Sequence, residues 1–317
     1  MNKIRDIFRK IPVTMSVLLT VVIMYFYMNC DRFIPLTISD NQVLSLRLSA
    51  VKFVLGAVCI LVTAGLGYSS WRSLQLKNLK KSLNILLPVI VVVVVEFLVI
   101  FFRSIKNVTL GGMLMYVIGL LAIGFFEEML FRYAVLQMLL SKWHSTTKQL
   151  ELSSAISGLL FGATHLVNII SGNASLYVYG QAVMAAFLGY LLSILYIITK
   201  NIWGCVIFHA LFDSVSMFGL CFGEEKVQSA ISTVQYSLNN ASEDKIKQIL
   251  IVAAFYFFIL LFSVVVYRTG HLLLTYSERL RAAEERTKTD EYLMELLHHE
   301  DYPFDEGKWA YVTKEKD

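Results

Sequence analysis

The chain has 317 residues, 56% of them apolar and 16% charged, with a mean hydropathy of +0.62. Soluble globular chains run at about 45–50% apolar and about 25% charged, so both figures argue against a soluble protein. Residues 1–267 carry a net charge of +8 and residues 268–317 a net of −4. Because the positive charge is scattered between apolar runs rather than gathered on one patch, no nucleic-acid partner is expected.

A bilayer core about 30 Å thick needs about 20 apolar residues per helix. Eight runs qualify: 11–30, 50–68, 83–102, 110–138, 152–170, 176–198, 202–222 and 248–267. The fold expected is all-α and polytopic, with about eight transmembrane helices and a cytoplasmic C-terminal helical tail. The first run follows Lys3, Arg5, Arg9 and Lys10 but lacks a small-residue cleavage site, so it reads as a retained anchor. The fourth is too long to be only a span and contains charges. Cys30, Cys59, Cys205 and Cys221 lie in or beside these runs without CxxC spacing and read as small buried apolar residues.

If all eight runs span, the N-terminus, the 69–82 loop and the 141–151 loop share one side, and all three are basic. The uncharged 171–175 linker and the slightly acidic 223–247 loop fall opposite. The positive-inside rule then makes both termini cytoplasmic; the 31–49 loop, Arg103 and Lys106 blur this asymmetry. The organisation expected is 1–109 as N-terminal transmembrane helices and 110–222 as the chemical core. A loop and last span follow at 223–267, then a charged tail at 268–317. In that tail Ser277–Glu300 should be a helix, with a loose segment after Pro303.

Ionisable groups at membrane depth cost about 2.5–3.5 kcal/mol each on insertion scales and mark function by default. Those present are Glu96, Glu127, Glu128, Arg132, His165, His209 and Asp213. Glu128 and Arg132 are i,i+4 neighbours in the favourable order, so the arginine holds Glu128 ionised. Glu127 points about 100° away around the helix and is left to face something else, as suits a general base. His165 follows Gly158 and Gly162, a small-xxx-small pair that lets another helix approach closely. His209 and Asp213 share a helix face. Either Asp213 fixes the tautomer and the other ring nitrogen points into a cavity, or both are metal ligands. Glu96 has no local partner and is left out of the site.

Two carboxylates, two histidines, an arginine and an aspartate on three helices suit peptide hydrolysis by activated water. Glu127, helped by His165, is the candidate base; His209, oriented by Asp213, is the candidate oxyanion donor. Neither a GxSxG nor a catalytic-cysteine pattern appears. Zinc is the competing arrangement, held through Glu127, His165 and His209 although no HExxH is present.

The segments Glu127-Glu128…Arg132, Phe161…His165 and His209…Asp213, in this order, resemble the CPBP family of CAAX prenyl-endopeptidases and bacteriocin-processing membrane proteases, also called Abi proteins. The run from Gln181 through Gly189 to Asn201-Ile202-Trp203 is similar to the family's approach to its third motif. The resemblance covers about 110–222 and implies an intramembrane endopeptidase with catalytic residues Glu127, Glu128, Arg132, His165, His209 and Asp213. Asp213 stands where the eukaryotic prenyl-protein members resemble one another in having Asn. The resemblance further implies a multi-pass protein of a bacterial cell membrane that acts on a membrane-embedded or lipid-anchored peptide or protein. The alternative is a non-catalytic regulator that binds a membrane protein, such as a sensor kinase, through its helices or tail. A proton-coupled transporter is weaker, because the sequence shows no internal repeat.

Overall fold

The computed structural model describes residues 10–30, 46–68, 71–104, 108–170, 176–222 and 245–298. The basic Lys3, Arg5 and Arg9, the linker 171–175, Lys106, most of the 223–247 loop and the segment after Pro303 lie outside the described residues. The helices are α1 (Pro12–Met28), α2 (Leu46–Gly65), α3 (Leu79–Ser104), α4 (Leu110–Glu128), α5 (Leu136–Leu140), α6 (Thr147–His165), α7 (Val167–Ile170), α8 (Leu176–Thr199), α9 (Ile202–Phe222) and α10 (Lys245–His298). A short 3₁₀ turn occupies Trp71–Leu74, and no strand occurs among the described residues.

Local sequence sets the helix starts. Pro12 opens α1, where its missing N–H costs nothing. Thr109 caps α4 by accepting from the Gly112 amide at 3.1 Å. Thr146 caps α6 by accepting from the Gln149 amide, while the Gln149 side chain reaches back to the Ser145 amide. Asn201 caps α9 by accepting from the Gly204 amide at 2.8 Å, and its NH₂ group donates to the carbonyls of Gln75 and Lys77.

The protein is an all-α polytopic membrane protein. Among the described residues, five helical stretches are long and apolar enough to cross a bilayer, and six if the bent pair Leu79–Pro88 and Ile90–Val99 is one span. The first and seventh expected runs are represented by the shorter apolar helices Pro12–Met28 and Ile202–Val215. Val54, Leu61, Phe102, Leu159 and Phe257 all turn outward; so much exposed apolar surface suits lipid rather than water.

The fourth run departs from a regular helix. After α4 the chain enters a π-helical turn over Met129–Val135, then resumes as α5. Every residue of that turn is buried. Such i→i+5 insertions are rare and concentrate at functional sites; this one begins immediately after Glu128.

Glycines let the helices close around it. A Cβ on Gly158 or Gly162 would fall on the carbonyl oxygens of Ala186 and Ala182, so α6 and α8 meet backbone to backbone. Loop contacts gather at one end of the bundle. Lys142 donates to the Lys10 carbonyl at 3.0 Å, Gln137 donates to the Tyr196 hydroxyl at 2.6 Å, and Trp203 donates to the Leu74 carbonyl at 2.8 Å. The starts of α1 and α9, the 71–78 segment and the 141–146 turn therefore share that end.

The chain divides into two compact units at Leu273–Leu274. Helix α10 runs unbroken from Lys245 to His298, so the last expected span and the expected tail helix are one element. Its residues 281–289 are all exposed.

Candidate active site

The last turn of α4 carries Glu127 and Glu128 side by side with opposite surroundings. Glu128 is fully buried and pairs with Arg132 Nη1 at 3.0 Å. Glu127 is 25% exposed. The guanidinium of Arg132 also lies over the Phe161 ring, 4.7 Å from its centroid.

His209 comes to this pair from α9, about 12 Å along the helix from the Asn201 cap at 1.5 Å per residue. Its Nδ1–H donates to Glu128 Oε1 at 2.7 Å. Its Nε2 faces Glu127 Oε2 at 3.3 Å and Asp213 Oδ2 at 3.5 Å. The orienting carboxylate is thus Glu128, from another helix, rather than Asp213. The reason is rigidity: Glu128 is buried and anchored by Arg132, whereas Asp213 is 23% exposed and stands on the other side of the ring.

His165 ends α6. Its Nδ1–H donates to the Phe161 carbonyl at 3.1 Å, so Nε2 is the ring nitrogen that can accept. Phe161, quoted in the sequence motif but given no role there, packs edge-on to both histidines, with centroids 5.0 Å from His165 and 5.6 Å from His209. It is the apolar spacer that sets the two imidazoles and Arg132 around one point.

All six residues expected from the sequence are on elements that meet here: α4, the π turn, α6 and α9. Glu96 lies exposed on α3. The sequence reading missed Lys52, which α2 buries to 3% exposure within electrostatic reach of Glu127 and Asp213. It stands near the start of an apolar run, where a lysine ordinarily snorkels to the interface. Among the described residues, no three His, Cys, Asp or Glu side chains are arranged to hold a metal ion. A cavity of about 240 Å³ lined by Phe97, Tyr116, Leu120, Ala210, Leu211 and Ser214 adjoins the His209–Asp213 turn.

Compared with known families, residues 108–215 match the model described as type II CAAX prenyl endopeptidase Rce1-like. No curated protein and no solved structure matches the chain. The matched segment begins at Val108, just before α4, and ends at Val215, just after Asp213. It therefore holds every residue of the three motifs and leaves out α1–α3 and α10. Over residues 108–215 the chain is therefore similar to the CPBP/CAAX family of intramembrane proteases.

Proposed function

We propose that the protein is an intramembrane endopeptidase that hydrolyses a peptide bond of a membrane-associated peptide or protein with water activated by Glu127. The observation that carries this reading is the convergence of Glu127 and Asp213 on Nε2 of a histidine whose Nδ1 is already held by Glu128. Glu127, partly exposed, takes a proton from water, and the water oxygen adds to the scissile carbonyl carbon. His165, with Nε2 as acceptor, assists that proton transfer. His209, protonated at both ring nitrogens among the Glu127, Glu128 and Asp213 carboxylates, donates from Nε2–H to the carbonyl oxygen as charge develops on it. Glu127 then returns the proton to the leaving amine. Glu128 and Arg132 keep His209 in place.

The apolar cavity beside Ala210 and Ser214 suits an apolar part of the substrate. Metal activation is the competing route; the glutamate route is favoured because no three His, Cys, Asp or Glu side chains among the described residues are arranged to hold a metal ion. The basic loops at one end support a cytoplasmic face there, with a bacterial plasma membrane as the setting.

The test compares peptides released from membranes carrying the intact protein, the Glu127→Gln variant or no protein, at matched levels. Fragments that vanish with the variant support hydrolysis. A variant that restores the cellular phenotype without any Glu127-dependent fragment sinks the reading and leaves a regulator that works by binding, with the exposed 281–289 face of α10 as its contact.

A further inference from the structure

We propose that Lys52, brought in by α2 from outside the matched segment, is a positioning residue of this site: its ammonium balances the Glu127 and Asp213 carboxylates that flank His209. The inference rests on the hydrolase reading for its activity readout and on burial and charge for the rest.

Helix α2 buries Ser49, Lys52, Gly56, Cys59 and Thr63, one face at helical spacing. That face packs against the end of α4. A Cβ on Gly56 would press into the Phe125 ring and lie 3.4 Å from the Phe126 Cα, and Phe53 meets Phe125 with ring centroids 5.5 Å apart. Lys52 stands one turn before Gly56 on the same face, and its ammonium interacts electrostatically with Glu127. The ammonium lies 6.0 Å from the Tyr27 ring centroid, and Tyr27 in turn packs on Phe126 at 5.3 Å.

The charge inventory gives this placement its meaning. Among the described residues, Arg132 and Lys52 are the Lys or Arg side chains buried in the bundle. Arg132 is committed to Glu128. Glu127 and Asp213 both interact electrostatically with Lys52, and Asp213 also with His209 and His165. The other titratable groups near Lys52 are the Cys30 thiol and, close to Glu127, the Tyr27 hydroxyl. Two carboxylates therefore share one lysine and one imidazole. Buried charges persist when paired, and removing one partner leaves the other uncompensated.

The experiment places Lys52→Met, Lys52→Arg and Glu127→Gln in the full-length chain and compares isolated membranes holding equal amounts of each. The readout is the release rate of the fragments that Glu127→Gln abolishes. Met keeps the apolar stem and removes the charge; Arg keeps the charge and changes the shape. A charge role is expected to lower the rate about tenfold or more in Lys52→Met and to leave Lys52→Arg within about threefold of the parent. A packing role gives the reverse order, and Lys52→Met at or above Lys52→Arg overturns the proposal.

A second readout needs no activity. The thermal stability of Lys52→Met in detergent should fall and should recover in Lys52→Met/Asp213→Asn, which removes one charge of each sign. Failure of the second change to recover it also overturns the proposal. If no fragment depends on Glu127, the hydrolase reading fails while this stability comparison still decides the lysine's role. If Glu127→Gln abolishes fragments and Lys52→Met does not slow them, only the lysine's role is lost.

Discussion

His209 donates from Nδ1 to Glu128 Oε1 at 2.7 Å, across 81 positions of sequence, and this bond rather than the local i,i+4 pairing with Asp213 fixes the imidazole. Glu128 also neutralises Arg132, so one buried carboxylate serves a cation and a ring. Replacing it with Gln keeps the shape but leaves the guanidinium uncompensated. Breaking a buried pair this way costs about 3–5 kcal/mol. Glu128→Gln is therefore expected to melt well below Glu127→Gln, whose side chain is partly exposed, when both are followed by thermal unfolding in detergent. Equal melting would mean that Arg132 finds another anion.

Asp213 faces Nε2 at 3.5 Å from the exposed side of the ring. Asn at this position retains an acceptor oxygen and gains an amide donor; Ala retains neither. Asp213→Asn is expected to keep cleavage within about tenfold, whereas Asp213→Ala should lose a hundredfold or so, the scale on which an oxyanion-site donor acts, because His209 Nε2 then loses the acceptor that faces it. Release rates at matched membrane levels measure the difference. Equal loss in both variants would assign Asp213 a role that needs its full charge.

How much of this was legible beforehand follows from distance along the chain. The pairs Glu128–Arg132 and His209–Asp213 sit four residues apart, so the helical period alone puts each on one face. Gly158 and Gly162 announced a close helix contact for the same reason, and α8 takes it. The Glu128–His209 bond was not legible, because periodicity on one helix says nothing about which neighbour it turns toward. The π turn left no trace either: 129–135 contains neither Pro nor Gly, and its extra residue is stabilised by burial on all sides. Lys52 was hidden by its place near the start of an apolar run, where nothing local separates a buried ammonium from a snorkelling one.

Chelation separates the two ways of activating water. Glu127, His165 and His209 do not form a three-ligand metal cluster. Cleavage is therefore expected to survive dialysis against a strong zinc chelator, with Glu127-dependent fragments released at an unchanged rate. Loss on chelation, restored by added Zn²⁺, would replace the glutamate route with the metal one.

The contact between α6 and α8 brings two helix backbones together inside the matched segment. At Gly158 any side chain would meet the Ala186 carbonyl and the Tyr190 amide nitrogen, backbone atoms that cannot rotate away. Gly189 answers from the other helix: a Cβ there would lie 2.9 Å from the Gly158 Cα, 3.0 Å from the Phe161 ring and 3.2 Å from Arg132 Nη2. A substitution at Gly158 would thus push α8 away from the ring that spaces both histidines. Overpacking a filled core costs about 1–3 kcal/mol where side chains can adjust, and more where only backbone can move. Gly158→Val is expected to cut both accumulation and cleavage. Gly111→Val, where a Cβ meets nothing within 4 Å, is the matched control and should do neither. Loss of cleavage in Gly158→Val at undiminished stability would mean that the two helices can part without unfolding, and that their contact aligns Phe161 and the histidines rather than holding the bundle together.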